Sequence, residues 1–153
     1  MKTAIIATIA SLAGANKSDF PSMDMFHASC KLETTLNYSC DTLFSDLTRT
    51  LSNFNDPSKG IYEIKENSSN DYIWVTRTTP VKHYVDDILL EISGNTDSCT
   101  IQSKSRSQSM SYYDFNTNYC NMYNIFRSLG TSFSSPKNSD CKFVPDDANT
   151  TCN

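Results

Sequence analysis

The side chains able to do chemistry gather in the second half of the chain: Asp86, Asp87, Ser103, Ser105, Arg106, Asp114 and Asn118. An arginine flanked by serines, leading to an aspartate and an asparagine at a helix start, suggests a hydrogen-bonded cluster. The planar guanidinium fork matches carboxylates well. We therefore expect Arg106 to pair with Asp87 or Asp114 and tie strand to helix, since buried charges are usually paired. On that expectation Arg106→Ala unfolds the domain, because stranding a buried partner charge costs about 3 kcal/mol. The rival use is an anion or polar-headgroup pocket, in which Arg106 and the helix N-terminus supply positive potential. In that case Arg106, Asp114 and Asn118, with Trp74, are the ligand-binding candidates.

Other chemistries find less support. Asp86 and Asp87 are neighbours on a strand, so their side chains point to opposite faces and cannot act as a matched acid–base pair. No G-x-S-x-G elbow occurs, and Gly130-Thr131-Ser132-Phe133 follows a helix, not a strand. P-loop, H-E-x-x-H and G-x-G-x-x-G patterns are also missing from the sequence. His27 and His83 are the only histidines and no C-x-x-C occurs, so neither a zinc site nor a catalytic residue is assigned, and no cofactor is expected. Residues 105–113 (SRSQSMSYY) mix Arg, hydroxyls and aromatics. They suit a recognition strand for sugar or peptide, or simply a solvated sheet face. Trp74, Tyr72, Tyr112 and Tyr113 can line a groove, although a single Trp in a small domain is usually core.

The elements that position these residues follow from periodicity. Residues 31–36 can form a first strand. Ser39 or Asp41 can cap a helix running to about residue 53, whose Leu43, Phe44, Leu47, Leu51 and Phe54 share one face. Residues 55–60 form a turn. Extended runs are predicted over residues 61–66, 72–79, 87–93 and 99–109. The second is rich in aromatic and β-branched residues, and the third alternates Ile88, Leu90 and Ile92 on one side. Asp114 or Asn116 can cap a second helix over residues 117–129, with Gly130 at its C-terminal end. Short links predict an antiparallel meander with two helices packed on one face, an α+β fold. Residues 16–29 read as a loose polar arm, residues 30–130 as the domain, and residues 131–153 as an irregular tail pinned by its cysteines.

The middle of the chain is similar to a widespread uncharacterised family, domain of unknown function 1499. That family's pattern is a strand opening on paired Asp, then S-x-S-R, Asp, and Asn at the head of a closing helix. Here these are Asp86-Asp87-Ile88, Ser103-Lys104-Ser105-Arg106, Asp114 and Asn118. The chain departs from it at Ser107, Gln108 and Asn116, where the family often has Gly around the Arg-to-Asn stretch. It also carries Cys99 and Cys120 inside the match. The resemblance implies a fold and brings no established activity.

Composition bounds the rest. The chain has 153 residues, a net charge of −4 and a pI near 5.0. One domain is expected at this length. The acidic balance argues against nucleic acid as a partner. Residues 1–15 (MKTAIIATIASLAGA) have the layout of a secretory signal peptide, too short to span a bilayer, and no membrane span is expected elsewhere. Cys30, Cys40, Cys99, Cys120, Cys141 and Cys152 all follow that segment, and an even count in an exported protein implies three disulfides. Spacing cannot choose among the possible pairings; pairing neighbours (Cys30–Cys40, Cys99–Cys120, Cys141–Cys152) is the simplest. Sequons at Asn16, Asn37, Asn67 and Asn149 fit a secretory route. The expectation is a secreted non-enzymatic binding domain whose helices enclose a space for a small apolar or lipid-like ligand. The alternative is an extracellular structural or surface-interaction protein without a pocket, and a hydrolase ranks last. The partner is thus an unidentified small molecule or an extracellular protein.

Overall fold

A computed structural model describes residues 16–153 except 131, 132 and 134. The proposed signal peptide and Ser132 fall outside the described residues. Six strands, β1 (Ser29–Leu36), β2 (Ile61–Ser68), β3 (Tyr72–Thr78), β4 (Val85–Gly94), β5 (Cys99–Ser107) and β6 (Lys137–Ser139), form one sheet in the order β2-β3-β4-β5-β1-β6. Every neighbouring pair is antiparallel. Helices α1 (Cys40–Leu51) and α2 (Thr117–Ser128) pack against the sheet and touch each other, and a single turn, α3 (Ala148–Thr151), follows near the end. This is the α+β meander the sequence predicts. None of the helices among the described residues is long and apolar enough to cross a membrane.

Alternation builds the two faces of the sheet. Ile88, Leu90 and Ile92 of β4 meet Ile73 and Val75 of β3 under the helices. Leu43, Leu47 and Leu51 descend from α1 at every fourth position, and Met122, Ile125 and Phe126 descend from α2. Ser39 caps α1, its hydroxyl accepting from the Thr42 amide at 3.2 Å. At α2 the Asn116 side chain makes no capping bond, and the Asp114 carboxylate takes that role on the Asn118 amide at 2.9 Å.

The second face is covered as well. Tyr72, Trp74 and Leu89 form a small apolar cluster there, and Phe20 packs on it with its ring 5.4 Å from that of Trp74. Lys17 pairs with Asp71 at 2.6 Å, and Asp24 reaches Arg106. The arm expected to be loose is therefore laid across the sheet.

All six cysteines are bridged, but not as neighbours: the pairs are Cys30–Cys141, Cys40–Cys99 and Cys120–Cys152. The geometry of β1 explains the correction. The strand carries the chain from Cys30, opposite Ser105, to Leu36, opposite Cys99. Cys30 and Cys40 thus lie toward opposite ends of the sheet, and Cys40 arrives beside Cys99. The tail, read as irregular, adds the three-residue β6 to the edge at β1, where Cys141 is anchored. Three exposed polar residues carry no periodic signal.

Candidate functional site

β5 presents Ser103, Ser105 and Ser107 on every second position toward the helices. The Ser103 hydroxyl donates to the Leu32 carbonyl at 2.9 Å. The other two join a closed ring of buried polar groups beneath α2. Ser105 donates to Asn118 Oδ1 at 2.7 Å, and Asn118 Nδ2 donates to Ser107 Oγ at 3.2 Å. Ser107 donates to Asp86 Oδ1 at 2.7 Å. Asn121 Nδ2 donates to Asp86 Oδ2 at 2.9 Å and to Ser105 Oγ at 3.1 Å, closing the circuit. Asp114 attaches to it by accepting from Asn118 Nδ2 at 2.8 Å. Asp86 is only 3% exposed. Its burial pushes the carboxyl pKa up, against the lowering effect of the hydrogen bonds from Asn121 and Ser107.

The remaining members of the predicted cluster lie on the opposite face. Asp87 accepts from Trp74 Nε1 at 2.8 Å and from Gln108 Nε2 at 3.0 Å. Lys65 stands 3.7 Å from Asp87 and lies over the Trp74 ring. Arg106 sits directly across from Asp87 in the strand register, yet its Nη2 donates to Asp24 Oδ2 at 2.9 Å and its Nη1 to the Ser107 carbonyl at 3.2 Å. The carboxylate expected for it, Asp87 or Asp114, is replaced by one from the arm. Asp24 also bonds His27 Nδ1, and hydrogen bonds from His27 and Arg106 hold its carboxyl well below the usual carboxylate range. Of the four ligand-binding candidates, the structure thus brings together Asp114 and Asn118. Trp74 is buried and bonded to Asp87, and Arg106 belongs to the arm contact.

Two clefts open at the end of the sheet next to the polar ring. The larger, about 330 Å³, has Asp86, Ser107 and Asp114 in its floor and Tyr84, Met110, Tyr113 and Phe115 around its mouth. The smaller, about 230 Å³, is lined by Asp56, Arg77, Asn121 and Asn124. Thr79, Phe115 and Thr117 belong to both. Phe115 is 87% exposed and has φ of 52°, followed by Asn116 at 66°. A bulky residue held in the left-handed region is a strained arrangement. In the smaller cleft, Nε and Nη2 of Arg77 both donate to Asp56 Oδ2, at 2.9 and 2.8 Å, and the pair is almost wholly buried. Arg77 Nη1, Asn124 Oδ1 and Asp114 Oδ1 are buried without a hydrogen-bond partner among the described residues.

A more open hollow of about 520 Å³ lies beside β1 and β6 on the second face. Its charges are already matched to one another, with Lys104 on Glu91 at 3.1 Å and Lys137 on Glu33 at 3.6 Å. It offers little uncommitted chemistry. The end clefts are the candidate site.

Sequence reasoning misses Arg77 and Asp56. The signal available is the alternation of β3, which puts Arg77 on the same side as Ile73 and Val75 and so demands a buried counter-charge.

The sheet, the two helices on one face and the polar ring beneath the second define a small α+β domain built around an S-x-S-R…D…N element. A family model described as "Protein of unknown function (DUF1499)" matches residues 21–129, and the chain belongs to that family. The matched segment runs from the arm through both helices and includes every residue of the ring. No curated protein and no solved structure shows significant similarity to the chain.

Proposed function

We propose that this protein is a secreted, non-enzymatic binding domain that takes a small ligand in the clefts at the end of its sheet. The observation that carries this is the aromatic mouth of Tyr84, Tyr113 and Phe115 over a floor of buried polar groups. Ligand sites combine an apolar lining with a few fixed polar groups. The end of the sheet is preferred to the space beneath the helices, because Leu47, Leu51, Ile88, Leu90 and Phe126 already fill that space. Export is supported by the full pairing of the cysteines and by the pattern of residues 1–15. The sequon residues Asn37, Asn67 and Asn149 are exposed and suit glycan attachment. Native mass spectrometry of protein from its own secretory source tests the proposal. A mature chain beginning near Asn16 with a retained small adduct is expected, and a full-length, ligand-free chain overturns it.

A second reading, an extracellular surface-interaction protein, draws on the exposed Met25, Phe26, Tyr112 and Tyr113. Phe143 packs against both tyrosine rings, at 6.1 and 5.0 Å. Contiguous apolar surface of this kind marks partner sites. Concentration-dependent self-association on a sizing column favours this alternative.

A further inference from the structure

We infer that the ligand of the end clefts is a neutral saccharide; this rests on the binding-domain proposal and names the chemistry of the same site. Three features select it. The first is a set of buried polar atoms left without hydrogen-bond partners among the described residues. Arg77, 5% exposed, keeps one unused donor at Nη1; Asn124 keeps an unused acceptor at Oδ1, and Asp114 another at Oδ1. Buried groups of this sort are costly unless something pairs with them. A hydroxyl both donates and accepts, so a polyhydroxylated ligand can satisfy donor and acceptors together.

The second feature is charge. The Arg77 guanidinium is already neutralised by Asp56. Asp86 and Asp114 beside it disfavour an anion, and an ammonium or guanidinium ligand, which only donates, would leave the Arg77 Nη1 donor unpaired. An aliphatic chain would leave the unused donor and acceptors unpaired.

The third is the aromatic platform. Phe115 stands 87% exposed between the two clefts, with Tyr84 and Tyr113 at the larger mouth. Flat rings beside hydrogen-bonding groups match the alternating C–H faces and hydroxyl edges of a sugar ring. A peptide added as an extra strand is disfavoured by position, since the clefts sit at the ends of the central strands β3, β4 and β5 and the sheet edges are β2 and β6.

The test applies the oxidised mature protein to an array of neutral glycans, with oleate as a separate solution probe. The parent chain is expected to bind at least some glycans. Phe115→Ala, and independently Tyr84→Ala, should weaken that binding about tenfold with unchanged melting temperatures. Failure to bind any neutral glycan, or glycan binding indifferent to both substitutions, overturns the saccharide assignment. Oleate binding weakened by Phe115→Ala without glycan binding defeats the saccharide and spares the binding domain. Absence of both, with no adduct on secreted material, defeats both.

Discussion

Asp86 and Asp87 are adjacent in β4 and buried on opposite sides of the sheet, Asp86 under α2 among serines and asparagines and Asp87 against the indole of Trp74. Their environments give them separate duties. Burial raises the Asp86 pKa, so its protonated form is favoured in the fold relative to the unfolded chain. Its contribution to stability is fully present below the unfolded value near 3.9 and is lost as pH rises through the raised folded value. Asp86→Asn removes that loss. Urea melts of parent and variant should shift in the variant's favour as pH increases from about 4. Parallel pH profiles refute the assignment.

Asp24 has the opposite sign. Its lowered pKa means that stability from the contacts with His27 and Arg106 is present above the unfolded value and fades as pH falls toward the lowered folded one. Asp24→Asn should therefore destabilise at neutral pH and lose its effect in strong acid, as read by thermal melts across pH.

Arg106→Ala is expected to free the arm and leave the sheet folded, since the partner carboxylate of Arg106 is about one-third exposed and can be rehydrated. Hydrogen exchange should rise at Phe26 and His27 and stay unchanged at Ile88 to Leu90. Global unfolding restores the expectation of a buried partner.

The Arg77–Asp56 pair is the most sensitive structural point among these contacts. Asp56→Ala strands a buried guanidinium and should destabilise by about 3–5 kcal/mol. Gly60→Ala probes the same place from outside: an added Cβ would lie 2.6 Å from both Arg77 Nε and Asp56 Oδ2. A cost of about 1–3 kcal/mol is expected from this overpacking, measured by denaturant unfolding.

Joint replacement of Cys40 and Cys99 by Ala opens a bridge of sequence separation 59. The chain-entropy account puts the loss at about 4 kcal/mol, measurable by the shift in urea midpoint. Non-reducing peptide mapping should recover the Cys40–Cys99 pair.

Much of this architecture can be read from residue order. Leucines at every fourth position specify α1, and the alternation of Ile88, Leu90 and Ile92 specifies β4 and its inner face. The S-x-S-x-S alternation places Ser105 and Ser107 under α2. The same alternation sends Arg106 to the other side, but not to its partner: Asp24 is 82 positions away and carries no local signal. The disulfide map is hidden for a similar reason, since it depends on β1 returning beside β5. Residues 105–113 can be marked for recognition by composition, and Met110 and Tyr113 do line the larger cleft. The cleft itself depends on where β3, β5 and α2 end in space, which composition does not encode.

The overlapping spans of the bridges have one more effect. Cys30–Cys141 encloses nearly all of the domain, and Cys120–Cys152 overlaps its far end. Hydrolysis of any single peptide bond between Cys30 and Cys152 therefore leaves two fragments still joined through sulfur. Neighbour pairing would have let a cut at the exposed Val81–Lys82 tip release half the molecule. The pairing found here makes a nicked chain behave as one particle.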